Sequence, residues 1–183
     1  MEIVSGDEIV GKRVILRPIT AQDTPLIVSW RNNERVRHSF IYRETFTEAI
    51  HEKWLAEQVA TGHVRQFIIC EKDPQGNMGR PVGSVYLRDV DMAEGSAEYG
   101  IFIGEDDAAG CGYGTEAAGL MVEYAVRGLG LKRLILRVYT DNIPAIKSYE
   151  AAGFKRIQTL EGVMATDGER RDMYLMELSD GRN

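Results

Sequence analysis

Cysteine is scarce in this sequence of 183 residues, and a long apolar run is absent. The two cysteines, Cys70 and Cys111, form no Cys-x-x-Cys pair, so we expect no disulfide framework and favour a reducing compartment. The first residues carry acidic side chains where a signal peptide is basic, and no stretch approaches the roughly 20 apolar residues of a transmembrane helix. These absences predict a cytoplasmic protein without a membrane partner.

An excess of positive charge is absent as well, because 22 basic residues stand against 28 acidic ones and the formal net charge is −6. Nucleic-acid binding requires a basic surface against the phosphates, so this balance argues against it and mildly favours cationic acceptors such as amines or polyamines. The three histidines, His38, His51 and His63, have no cysteine or carboxylate at metal-ligand spacing. We therefore expect no metal site.

Hydrophobic periodicity predicts strands and helices without an internal repeat or a linker, and thus one domain over residues 1–183. An antiparallel meander occupies the middle of the chain, whereas helices and strands alternate after a glycine-rich loop. The predicted strands are 12–17, 66–71, 81–90, 97–103, 134–140, 154–160 and 172–178, and the predicted helices are 21–33, a segment between 48 and 62, 115–128 and 144–152.

The most informative segment is the glycine-rich loop, AGCGYGTEA at 109–117, which lies between a predicted strand and an amphipathic helix. Its glycines allow a tight turn in which successive N–H groups converge on one anion, and the helix N-terminus adds a partial positive charge. Three interpretations are open: a plain turn, a dinucleotide site, and a cradle for the diphosphate of coenzyme A. The dinucleotide fingerprint is disfavoured because a meander, and not a βαβ unit, precedes the loop. No GxxxxGK[ST] sequence is present, which excludes a P-loop.

A second segment, DNIPAIKSYEAAGF at 141–154, follows the loop in the chain. The two segments together resemble the signatures of the GNAT superfamily of N-acetyltransferases, Arg/Gln-x-x-Gly-x-Gly/Ala and N-x-x-A-x-x-x-Y-x-x-x-G-F. The resemblance implies an α+β fold with a central, mostly antiparallel sheet of six to seven strands flanked by about four helices. It also implies direct transfer of an acetyl group from acetyl-CoA to a primary amine in a ternary complex, without a metal.

The resemblance further implies which residues hold the cofactor: strand main chain for the pantetheine, the loop for the diphosphate, and the second signature for the rest of the arm. In that order they are Ile101, Phe102 and Ile103; Ala109, Gly110, Cys111, Gly112, Tyr113, Gly114 and Thr115; and Asn142, Ala145 and Ser148. The chain departs from the motif in having Ala109 and Cys111 at the usually basic positions, and three acids, Glu105, Asp106 and Asp107, lie just upstream. These departures remove charge-assisted contacts to the diphosphate.

Acetyl transfer requires a base for the ammonium of the acceptor and an acid for the departing thiolate. By resemblance, Glu98 is the predicted base and Tyr149 the predicted acid. The alternatives are that Glu98 is an ordinary strand residue or binds the acceptor, and that Tyr149 is a core residue. A cysteine nucleophile at Cys111 is a further alternative, because a helix entry lowers the pKa of a thiol.

The acceptor is less well specified by the sequence. Trp30, Arg31 and Asn32, with His51 and Trp54 downstream, resemble the pattern of amino-sugar-nucleotide N-acetyltransferases of the pseudaminic-acid type. The same region and the tail at 160–178 resemble ribosomal-protein N-terminal and spermidine acetyltransferases. Arginines of this region could hold a diphosphate or a carboxylate, or form a solvated face around core tryptophans; they are Arg31, Arg35, Arg37 and Arg43.

We therefore expect a small amine, an amino sugar or a peptide N-terminus as acceptor. A homodimer is the assembly that the resemblance implies. The alternative function is that of a non-catalytic sensor that binds coenzyme A. The retained Glu98 and Tyr149 argue against the sensor.

Overall fold

The computed structural model describes residues 2–4 and 8–179 of the chain. Their strands form one nine-stranded sheet. The strands lie in the order β1-β2-β3-β4-β5-β6-β7-β9-β8, and every pair is antiparallel except β6 with β7. They are β1 Glu2–Val4, β2 Glu8–Val10, β3 Val14–Pro18, β4 Arg65–Lys72, β5 Met78–Asp91, β6 Ser96–Ile103, β7 Arg133–Tyr139, β8 Lys155–Met164 and β9 Arg170–Ser179.

Helices cover both faces of the sheet and bury two separate clusters of apolar side chains. One cluster lies under α4 and α5, and the other lies under α1 to α3. The helices are α1 Thr24–Asn32, α2 Glu34–Arg37, α3 Glu48–Trp54, α4 Tyr113–Glu123 and α5 Ile143–Ala151. Within residues 2–4 and 8–179, no helix combines the length and the apolar character that crossing a bilayer demands.

The predicted fold class is confirmed, although the sheet has more strands than the six to seven expected. The additional strands are β1 and β2, each of three residues, which pair as a hairpin beside β3. Strands this short carry too few alternations for a periodicity argument to detect. The extent of the predicted single domain stays a prediction, and residues 1, 5–7 and 180–183 of it lie outside the described residues.

The position of the site follows from a divergence between β6 and β7. These parallel strands pair only through Ser96–Glu98 with residues 133–135. Beyond that point β6 continues to Ile103 against β5, and β7 continues to Tyr139 against β9. Thus β6 remains paired with β5 and β7 with β9, while β6 and β7 no longer pair with each other. A wedge opens between them in the middle of the sheet.

Candidate active site

A single large cavity of about 1240 Å³ occupies this wedge and extends across both faces of the sheet. Its lining falls into two halves. Residues of β6, the glycine-rich loop and α5 line what we call the cofactor half. Residues of α1 to α3 with the adjacent ends of β4, β5 and β7 line what we call the acceptor half.

The glycine-rich loop forms a turn at the mouth of the cofactor half. Gly110 and Gly112 have φ angles of 76° and 84°, and Gly112 directly precedes the first residue of α4. Left-handed backbone at these positions is readily adopted by glycine, and it leads the chain into the helix so that the first-turn N–H groups lack intrahelical partners. The loop can therefore supply several amides and the positive helix end to one anion.

The loop residues predicted to hold the cofactor divide by position. Ala109, Gly110, Gly112, Gly114 and Thr115 line the cavity. Cys111 and Tyr113 do not line it: Cys111 is exposed, with Sγ 3.5 Å from the Asp107 carbonyl, and Tyr113 packs against the core under α4. Their expected contribution is therefore main chain only. The location of Cys111 outside the cavity also removes support for the cysteine-nucleophile alternative.

Arg13, a residue that the sequence analysis did not select, reaches this loop from the position just before β3. A Cβ placed on Gly112 would lie 3.1 Å from Arg13 Nη1, and the Arg13 guanidinium carbon stands 5.0 Å from the Tyr113 ring centroid. The Arg13 side chain is exposed and forms no ion pair with a carboxylate of the described residues. The guanidinium thus lies beside Gly112 in a loop, residues 109–117, that itself carries no basic residue.

One strand and one helix contribute the facing walls of the cofactor half. Ile101, Phe102 and Ile103 of β6 line the cavity beyond the point where β7 diverges. Asn142, Ala145 and Ser148 of α5 line it from the other wall. Asn142 caps α5 by accepting a hydrogen bond from the Ala145 N–H at 3.4 Å. Its side-chain amide group is then oriented by the helix that it begins.

Tyr149 lies on α5 in a cluster of aromatic rings at the junction of the two halves. Its ring centroid is 5.8 Å from that of Tyr99, and both rings contact Phe154. Burial raises the pKa of Tyr149 and raises that of Tyr99 well above the usual value. Both phenols are therefore protonated at neutral pH and have a proton to donate, and the Tyr99 hydroxyl is buried without a partner among residues 8–179.

Glu98 stands on β6 where the pairing with β7 ends, and it lines the cavity. Two arginines hold its carboxylate: Arg88 Nη2 lies 2.8 Å from Oε1, and Arg137 Nη2 lies 3.0 Å from Oε1 and 3.2 Å from Oε2. Oε2 accepts the Arg137 contact alone, so it keeps a lone pair for a further donor. Glu98 is neither free nor an ordinary surface residue.

Of the three residues predicted to contact the acceptor, the structure brings only Arg31 to the cavity. Trp30 is 3% exposed, and its indole Nε1 donates to Glu105 Oε1 at 2.7 Å. Asn32 exchanges two hydrogen bonds of 2.8 Å with the main chain of Phe46. Both side chains are used in holding the helices and loops around the cavity, which the linear W-R-N pattern could not distinguish from ligand binding.

The arginines considered for anion binding differ in whether they line the cavity and whether a carboxylate pairs with them. Arg43 is 3% exposed and is held by Asp167 and Glu169, so it is a structural residue. Arg37 does not line the cavity, whereas Arg35 lines it but pairs with Asp106 at 2.9 Å. Arg31 lines it without an ion pair to a described residue. The sequence could not show which arginine lacked a counter-charge.

Within the described residues, no group of three or more side chains that could ligate a metal occurs. His51 is buried. Its Nδ1 lies 2.8 Å from the Thr24 hydroxyl, and its Nε2 is buried without a partner. Burial lowers the pKa of His51, so the ring is neutral at pH 7. Because α3 turns the ring inward against α1, His51 is a core residue.

Comparisons with known proteins agree with this geometry. A family model described as "Acetyltransferase (GNAT) domain" matches residues 13–155. The mouse alpha/beta-tubulin-N-acetyltransferase 9 is 26% identical over 167 residues, covering 86% of this chain and 68% of that protein. The fruit-fly (Drosophila melanogaster) protein of that name is 28% identical over 170 residues, covering 88% of this chain and 84% of that protein. The fold matches a crystal structure of spermidine N-acetyltransferase from Vibrio cholerae in complex with CoA and spermine, with a TM-score of 0.82 at 22% identity over 94% of this chain and 98% of that one.

Proposed function

This chain belongs to the GNAT acetyltransferase family, and on that premise we propose how its cavity carries out the reaction. It is an acetyl-CoA-dependent enzyme that transfers the acetyl group to an amine. The observation that carries the proposal is the continuity of the cavity. One space of about 1240 Å³ joins the glycine-rich loop, the unpaired edge of β6 and the carboxylate of Glu98.

In the cofactor half, the amides at 110–115 and Arg13 hold the diphosphate of acetyl-CoA. The pantetheine lies along Ile101, Phe102 and Ile103 and adds to β6 as a strand would. The absence of β7 from this edge supports the arrangement, because strand main chain there has groups to offer. An amide of the same edge polarises the thioester carbonyl, and Asn142, Ala145 and Ser148 line the opposite wall.

The amine nitrogen attacks the thioester carbonyl carbon, the C–S bond breaks, and the sulfur leaves as a thiolate. An alkylammonium has a pKa of about 10.4, so it must lose a proton before it can attack. Glu98 takes this proton at Oε2, directly or through one water, and Arg88 and Arg137 fix the direction of the carboxylate.

Tyr149 donates a hydrogen bond, and finally its proton, to the departing sulfur. The attacking nitrogen loses its second proton as the amide forms, and this proton returns to the Tyr149 phenolate through water. Its raised pKa makes the phenol a weaker acid than in water. The same desolvation raises the proton affinity of a thiolate formed in this cavity, so the two groups stay matched.

A primary amine of a small molecule, an amino sugar or a peptide N-terminus is the proposed acceptor, as the name of the mouse relative also suggests for peptides. We place the reaction in the cytoplasm, since Cys70 and Cys111 are free, and we expect a homodimer. The non-catalytic sensor is the competing function, and the test below separates the two.

The test measures thiol release from acetyl-CoA by the purified protein with spermidine, an amino-sugar nucleotide and short peptides with free N-termini. We expect release that depends on the amine. Glu98→Gln should lower kcat/KM about 100-fold at pH 7, and the deficit should shrink as the pH approaches 10 and the amine loses its proton unaided.

Glu177→Gln is the matched control, because Glu177 pairs with Arg133 at 2.7 Å on the same sheet without lining the cavity. It should retain wild-type turnover. Calorimetric binding of acetyl-CoA without amine-dependent thiol release for any acceptor would instead establish the sensor.

A further inference from the structure

The acceptor half contains a partly buried cation that has no counter-charge among residues 8–179. Arg31 stands on the last turn of α1, and its guanidinium carbon lies 3.4 Å from the ring centroid of Phe40 and 5.1 Å from that of Phe46. The rings stabilise the charge through cation–π contact but accept none of its in-plane N–H groups in conventional hydrogen bonds.

Several observations show that this guanidinium is unsatisfied. Among residues 8–179, its buried Nη1 atom has no hydrogen-bond partner, and no carboxylate forms an ion pair with the guanidinium. Burial lowers the pKa of Arg31 to about 10. A partly buried cation without an anion costs free energy, so its presence in the wall of a ligand cavity calls for a partner that arrives from outside the protein.

The other charged groups of the acceptor half also favour an anionic ligand. Arg88 and Arg137 share the single carboxylate of Glu98, while Lys53 pairs with Glu57 at 3.9 Å. Arg35 is matched by Asp106, and His51 is neutral. Cations therefore outnumber anions in the acceptor half, although the chain as a whole is acidic. A ligand with several ammonium groups would meet net repulsion there.

We propose that the acceptor carries an oxyanion, a carboxylate or a phosphate, in addition to its amine, and that Arg31 binds this oxyanion. The inference rests on the proposed function and specifies its substrate class. A guanidinium presents parallel N–H donors that match a carboxylate or phosphate edge, and such contacts fix the amine at a set distance from the anion. Polyamines are then poor acceptors for this enzyme.

The test compares acceptors of equal length with the wild-type enzyme. One series consists of ω-amino carboxylates with one to five methylene groups, a second of the corresponding aminoalkyl phosphates, and the references are alkylamines and diamines. We expect kcat/KM for the best member of an anionic series to exceed that of the matching alkylamine about tenfold or more, with the diamine lowest. The better anionic series identifies which oxyanion is bound.

Arg31→Met keeps an unbranched side chain between Phe40 and Phe46 and removes the charge. It should raise KM for the anionic acceptor about tenfold, leave its kcat and the turnover of the alkylamine nearly unchanged, and leave the melting temperature equal or higher. Arg31→Lys should retain part of the preference. Arg127→Met, at an exposed arginine outside the cavity, is the control and should behave as wild type.

Equal or better turnover of diamines than of amino carboxylates and aminoalkyl phosphates would overturn the inference while leaving the proposed function intact. An equal loss of activity with every acceptor in Arg31→Met would overturn it too, because it would assign Arg31 a structural role. Absence of thiol release with all amines would refute the proposed function and the inference with it.

Discussion

Replacing Arg13 tests whether this residue provides the positive charge that the glycine-rich loop itself lacks. Arg13 Nη1 lies 3.1 Å from the Cβ position of Gly112, and the guanidinium has no anion among the described residues. A hydrogen bond to a charged group contributes about 1.5–3 kcal/mol. Exposure of Arg13 reduces this through screening, so we assign about 1 kcal/mol. Arg13→Ala should therefore raise KM for acetyl-CoA about fivefold and leave kcat unchanged.

The assay uses two donors, acetyl-CoA and S-acetylpantetheine, because the second has the thioester and the pantetheine but no diphosphate. The fivefold effect should appear with acetyl-CoA alone, and it should shrink between about 50 and 300 mM salt. Lys12→Ala removes a neighbouring exposed cation and serves as the control. An equal effect of Arg13→Ala on both donors, or the same effect from Lys12→Ala, would refute the assignment.

Two further predictions concern the buried polar groups of the cavity. Tyr149→Phe should lower kcat about 100-fold with little change in KM for acetyl-CoA, measured by thiol release; unchanged kcat from pH 6 to 9 would remove Tyr149 from the mechanism. Because burial lowers the pKa of His51, the unfolded state takes up its proton first as the pH falls below about 6.5, so unfolding free energy should decrease in that range. Urea melts at pH 8 to 5 should show a weaker decrease in His51→Gln, and an identical pH dependence would contradict this.

The parts of the site that sequence could predict are those built from local chain. The glycine-rich loop is one continuous segment in which residue type determines backbone geometry, and five of its seven predicted residues line the cavity. The second signature is local as well, since Asn142 caps the helix that carries Tyr149. Both could be read without knowing how the sheet is ordered.

The parts that sequence could not predict depend on contacts between distant segments. Trp30 was expected at the acceptor, but Glu105 satisfies its indole nitrogen from 75 residues away. Arg13 reaches a loop about 100 residues downstream, and nothing in its own segment signals this. Arg31 differs from Arg43 only in what surrounds it in space, because both lie in the same stretch of arginine-rich sequence.

The three acids before the loop bear on both halves of the site. As free charges they would repel a diphosphate, but each has a partner: Glu105 accepts from Trp30, Asp106 from Arg35 and Asn33, and Asp107 from Arg80. The hydrogen bonds from Arg35 and Asn33 also lower the pKa of Asp106, so it stays ionised.

Two of these partners belong to the helices of the acceptor half, and Asn33 joins them. Glu105 and Asp106 therefore connect the segment before the glycine-rich loop to α1 and α2, and Asp107 connects it to β5, so all three acids serve as structural links. Because charges separated by more than about 8 Å are screened at physiological salt, the net charge of −6 says little about either ligand. We propose instead that anionic groups bind at Arg13 in one half and at Arg31 in the other, because neither guanidinium pairs with a carboxylate of residues 8–179.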